Sequence, residues 1–103
     1  MIAANDLNSS FERRPRFPLG ELVATSGAIE ALEAEKLEPG RLLERHQSGD
    51  WGEICAEDAG LNEAAIEDGS RIMSVYQLSR GVKVWVITEA DRSSTTILLP
   101  DEY

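Results

Sequence analysis

The densest run of reactive side chains is Glu89-Ala90-Asp91-Arg92-Ser93-Ser94-Thr95-Thr96. Two carboxylates, a guanidinium and several hydroxyls at one bend could hold a cation, a phosphate or a polar ligand. The same residues also read structurally: Asp91 and Ser93 form turns, Arg92 can pair with Asp91 or Glu89, and threonine suits a strand. His46 is the only histidine and Cys55 the only cysteine. A zinc site needs more nitrogen or sulfur ligands than these two supply. As a nucleophile and base they are badly placed, because Cys55 lies among the acids Glu53, Glu57 and Asp58 rather than beside cationic groups. His46 continues the face of Leu42 and Leu43 and is expected to be a buried, hydrogen-bonded core residue. No glycine-rich loop follows a strand, and no cofactor or metal is expected. An enzymatic reading would rest on His46, Glu89, Asp91, Arg92 and Thr96, as a small hydrolase or polar-ligand-binding enzyme. It is the weaker reading, and no catalytic residue is assigned.

Charge gives a second kind of candidate. The 103 residues carry a net charge of −9, distributed unevenly. Residues 1–20 hold three arginines against Asp6 and Glu12, whereas residues 21–68 hold thirteen acids against Lys36, Arg41 and Arg45, a net −10. Residues 69–103 are neutral, with four acids and four bases. Such a chain is repelled by nucleic acid and anionic membranes, so neither is an expected partner. Glu30, Glu33, Glu57 and Asp58 are the acids expected on the outer helix faces. They form either a solvated surface or one meant for a basic protein.

The elements that position these residues follow from periodicity. Residues 1–14 lack an apolar period and read as a mobile tail, leaving 15–103 as a single domain. Pro15 to Gly20 is too proline-rich for a central strand, though Phe17 and Leu19 can anchor it. Glu21 to Thr25 is a short extended piece or the approach to a helix. Thr25 or Ser26 then caps a helix from Ala28 to Leu37 whose inner face holds Ala28, Ile29 and Leu32. Pro39 opens a second helix carrying Leu42, Leu43 and His46. Asp50-Trp51-Gly52 is a turn with one large anchor. A weaker helix over Glu57 to Asp68 has Leu61, Ala65 and Ile66 as its stripe and Gly69 as its cap.

Arg71 to Tyr103 reads as three short strands joined by two tight turns. A two-residue loop at Arg80-Gly81 sets Tyr76 opposite Trp85, and a turn at Asp91-Arg92 sets Thr88 opposite Thr95 and Val86 opposite Ile97. One face then carries Ile72, Tyr76, Trp85, Ile87 and Leu98. The other carries Met73, Val75, Val84, Val86, Ile97 and Leu99. The expected fold is therefore α+β, with two to three N-terminal helices packed on a C-terminal three-stranded antiparallel meander. Residues 19–24 can extend an edge. The second apolar face, with Trp51 as a further anchor, is the expected interface for a homodimer or another protein.

Phe17-Pro18-Leu19-Gly20, Val23 to Ala28, Arg45-His46 and Gly49-Asp50-Trp51-Gly52 together resemble a group of short bacterial proteins. The ending Trp85 to Ser93 with Thr95 to Pro100 resembles the same group, over about residues 17–103. These proteins are carried on plasmids, phages and integrated elements. They are labelled plasmid-related protein or type I restriction subunit M. The second label cannot describe a whole enzyme, since a methyltransferase needs a much larger cofactor-binding domain. The resemblance implies a mobile-DNA setting and no mechanism. The expectation is an accessory protein acting by protein–protein binding, with an acidic inhibitor of host restriction or CRISPR defence as its narrower form. The absence of an apolar run of ~20 residues and of a signal-like start, with the single cysteine, gives a cytoplasmic expectation.

Overall fold

The computed structural model describes residues 14–103. Of the tail expected over 1–14, all but Arg14 lies outside the described residues. In chain order come β1 (Glu21–Ala24), α1 (Ser26–Ala34), α2 (Pro39–Gln47), α3 (Ala56–Asp68), β2 (Ile72–Gln77), β3 (Lys83–Thr88) and β4 (Ser94–Leu98). The four strands form one sheet in the order β1-β4-β3-β2. The fold is α+β, but the sheet is mixed, because β1 runs parallel to β4 while the two hairpin pairs are antiparallel.

Local chemistry explains each boundary. Thr25 caps α1 by accepting from the Ala28 N–H at 3.1 Å. At the other end Leu37 N–H donates to Leu32 O and Lys36 N–H to Glu33 O, with Lys36 at φ 55. That closure normally uses glycine, so a lysine there is strained. Pro39 occupies the first turn of α2, and Leu42, Leu43 and His46 point into the core. In α3 the buried positions are Asn62 and Ala65, whereas Leu61 is 65% exposed. Ala65 and Ile66 face inward as expected, and only Leu61 is displaced, by Asn62, which has a task at the sheet edge.

The first hairpin is a three-residue loop, Ser79–Gly81, with Gly81 at φ 76 supplying the left-handed residue. This shifts the expected register by one: Tyr76 pairs with Val84, and Trp85 with Val75. Tyr76 and Trp85 thus point to opposite faces and are no cross-strand pair. The second hairpin has the expected register, with Thr88 opposite Thr95 and Val86 opposite Ile97.

All three helices cover the face bearing Ile72, Ser74, Tyr76, Val84, Val86, Thr88, Thr95 and Ile97. One core joins Ala28, Leu32, Leu42 and Leu43 to Tyr76, Val84, Val86 and Ile97. A smaller one gathers Phe17, Trp51, Ala65 and Ile72. Met73, Val75, Trp85, Ile87 and Leu98 lie on the other face. Val75, Ile87 and Leu98 are nonetheless buried. Tyr103 packs edge-on against Trp85, 5.5 Å between centroids, with the Arg71 guanidinium over the Tyr103 ring.

Candidate functional site

His46 is fully buried beneath α2, and both ring nitrogens are engaged by hydroxyls from the sheet. Nδ1 lies 2.6 Å from Ser74 Oγ and Nε2 2.9 Å from Thr88 Oγ1. Thr88 Oγ1 lies 2.7 Å from Thr95 Oγ1, which in turn donates to Leu19 O at 2.7 Å. One hydroxyl has one proton, so the direction from Leu19 O back to Nε2 is determined. Thr95 uses its proton on Leu19 O, so Thr88 must donate to Thr95. Nε2–H then donates to Thr88, and, the ring being neutral, Nδ1 accepts from Ser74. The imidazole is neutral, and burial lowers its pKa to about 4. Phe17 and Trp51 close the ring from its other sides, centroids 5.2 and 6.0 Å away. A serine donating to a histidine resembles a nucleophile and its base, but Ser74 is fully buried and no substrate reaches it.

The turn after β3 is likewise used by the fold. Arg92, at φ 61, donates to four backbone carbonyls: Ser70 at 2.7 Å, Ala65 at 2.8 Å, and Glu89 and Ala90 at 3.0 Å. It ties the turn to the last turn of α3 and lies over the Phe17 ring. Asp91 accepts from the Ser93 N–H at 3.0 Å. Hydrogen bonds from Ser93 hold its carboxyl below the usual range. Glu89 is exposed, and Thr96 lies on the face opposite His46. His46, Glu89, Asp91, Arg92 and Thr96 therefore do not converge on one cavity. Among the described residues no three His, Cys, Asp or Glu side chains gather as metal ligands.

The expected apolar interface is divided by the one-residue register shift. Val84, Val86 and Ile97 are core beneath the helices, and Leu99 packs against that same core. Met73 and Val75 project from the opposite face, where Val75 is buried as well. Trp51 is a core plug, 6% exposed, stacked near Phe17 and donating from Nε1 to Glu63 at 3.2 Å. Arg16 holds that carboxylate in a 2.7 Å ion pair and keeps its pKa low.

The expected acids lie on the helical layer. Glu30, Glu33, Glu57 and Asp58 are all exposed, the last two in the first turn of α3. α1 packs over β4 and α3 against β2, so the two acidic pairs sit over different strands. One member of each pair borders a partly apolar depression. Glu33, Glu38 and Lys36 rim a groove of about 390 Å³ that Ile29, Leu32, Leu37 and Pro39 also line. Asp58 borders a smaller one, of about 250 Å³, with Ile54, Leu61, Asn62, Arg71 and Met73. Ile29, expected in the core, is 41% exposed and belongs to this groove. Its position at the margin of the Ala28–Leu32 stripe was the sequence signal for that role. Glu38 and Leu37 carried no such signal, because only the turn between α1 and α2 brings them beside Ile29.

Among the described residues no helix is long and apolar enough to cross a membrane. No protein-family model, curated protein or solved structure matches the chain.

Proposed function

We propose that this chain acts by binding another protein, without catalysis, as an accessory of a mobile genetic element. The observation that carries this reading is the α1–α2 groove, with Ile29, Leu32, Leu37 and Pro39 in its lining and a rim of Glu33 and Glu38 against the single cation Lys36. An apolar depression edged by carboxylates suits an apolar anchor flanked by lysine or arginine, with the charges steering encounter. The mobile-element setting rests on the sequence resemblance. In its narrower form the partner is a component of a host restriction or CRISPR defence.

The test is capture of host proteins on the tagged chain, followed by affinity measurement with the purified partner. Binding should weaken as salt rises. Replacing Glu30, Glu33 and Glu57 by Gln and Asp58 by Asn should preserve the circular dichroism spectrum and weaken affinity at least tenfold. Equal affinity in wild type and variant would return these acids to a solvated surface. The narrower form predicts that the wild-type chain raises phage plating on a restricting host and that the variant does not.

A further inference from the structure

The two edges of the sheet are treated differently. On the outer edge of β2, Val75 N–H donates to Trp51 O at 3.0 Å and Glu53 N–H donates to Val75 O at 2.7 Å. The Asn62 side chain takes both groups of Met73, accepting its N–H at 3.2 Å and donating to its C=O at 2.7 Å. That edge is closed. On β1, Glu21 N–H donates to Ser93 O and Thr25 N–H to Ile97 O, at 2.9 and 3.0 Å. Alternate residues face β4, so Leu22 and Ala24 turn their N–H and C=O groups away from it. Among the described residues no other strand pairs with β1.

Proteins commonly protect an open edge with proline, lysine or a bulge. From Leu22 to Thr25 there is none of these. Instead Leu22 and Val23 are 57% and 44% exposed. Beside Ala24 lies a small groove lined by Leu22, Ala24, Pro39, Leu43 and Ile97.

We propose that the free edge of β1 is a strand-addition site occupied by β1 of a second copy, antiparallel and centred on Val23. Two four-stranded sheets then join into one continuous sheet. The sequence is self-complementary in this register. Leu22 opposes the partner's Ala24 and exchanges both backbone hydrogen bonds with it. Val23 meets the partner's Val23 as a close non-hydrogen-bonded pair on the other face. The partner's Leu22 lies at the mouth of the groove beside Ala24. Glu21 opposes the partner's Thr25, so no like charges face each other. The contact is small, which places it among weak, concentration-dependent associations. It shares only Pro39 with the lining of the acidic groove and does not depend on the binding function proposed above.

Light scattering on the purified chain should show mass rising from one copy toward two as concentration increases. Because each copy carries −9, added salt should strengthen this association, the reverse of its effect on a basic partner. Exchange of the Leu22 and Ala24 amide protons should slow with concentration in the wild-type chain. Cys55 is an exposed free thiol, so cross-linking is done in a Cys55→Ser background. There Val23→Cys should form a disulfide-linked dimer, since close antiparallel pairs suit disulfide geometry, and Leu22→Cys should not. Val23→Lys, at an exposed site, should keep the fold and abolish the dimer. A mass that stays monomeric at millimolar concentration, with no Val23→Cys cross-link, overturns the proposal. A dimer that survives Val23→Lys, or cross-links equally through Leu22→Cys, overturns it too.

Discussion

Neutral His46 is held by a hydroxyl chain that runs one way, and this makes a prediction about pH. The folded pKa of about 4 lies below the ordinary 6.5, so the folded chain binds fewer protons than the unfolded chain between those values. The imidazole's contribution to stability is therefore complete above pH 6.5 and is lost as pH falls toward 4. The shift corresponds to about 3 kcal/mol. Urea denaturation from pH 7 to 4 should show this fall, and His46→Phe should remove that part of the slope. At pH 7 His46→Phe should cost about 2–5 kcal/mol, since it strands the Ser74 and Thr88 hydroxyls. Adding Ser74→Ala and Thr88→Val should recover much of the loss, because replacing all partners leaves no buried group unpaired. Arg92 works by similar logic at the surface: Arg92→Ala should lower stability by about 1–3 kcal/mol in the same assay.

At the scale of elements, stability turns on closures. Lys36 ends α1 in the left-handed region without being glycine, so Lys36→Gly should stabilise the fold by up to about 1 kcal/mol, raising the thermal midpoint. Gly52 has the opposite character. It sits at φ 78 with its backbone against Val75 O, and a Cβ there would overlap that carbonyl. Gly52→Ala should detach the Trp51–Glu53 segment from β2 and cost more than about 2 kcal/mol in a denaturant melt. Val86→Glu is a test of core rather than of interface. Val86 is fully buried beneath the helices, so a carboxylate there should unfold the monomer, visible as loss of cooperative melting.

The whole molecule carries an acidic helical layer and an apolar strand edge. The β1 edge is far from α3, whereas α1 packs over the neighbouring β4 and Pro39 lines both the acidic groove and the groove beside Ala24. The two associations differ in the sign of their salt dependence. A single titration series in sodium chloride, following self-association and partner binding together, should show one rising as the other falls. If both weaken with salt, self-association is electrostatic and does not proceed through the uncharged edge at Val23.

Local periodicity was enough to read the α+β class, the three helices, the two hairpins, the Gly69 cap and a buried His46. Each depends on residues within a few positions of one another. The Thr88–Thr95 register was also legible, because the Asp91–Arg92 turn sets it locally. Tertiary structure decided the rest. Whether the loop at Arg80-Gly81 used two residues or three could not be read from the dipeptide, and one residue exchanges the faces of a whole strand. That exchange moved Val84, Val86 and Ile97 from a supposed interface into the core. That residues 19–24 could extend an edge was legible, but their parallel pairing with β4 spans most of the chain, so no local pattern could give the partner or the direction. Asn62 displaced Leu61 from the inner face of α3 for the same kind of reason: the unpaired Met73 backbone that it satisfies exists only after the sheet has formed.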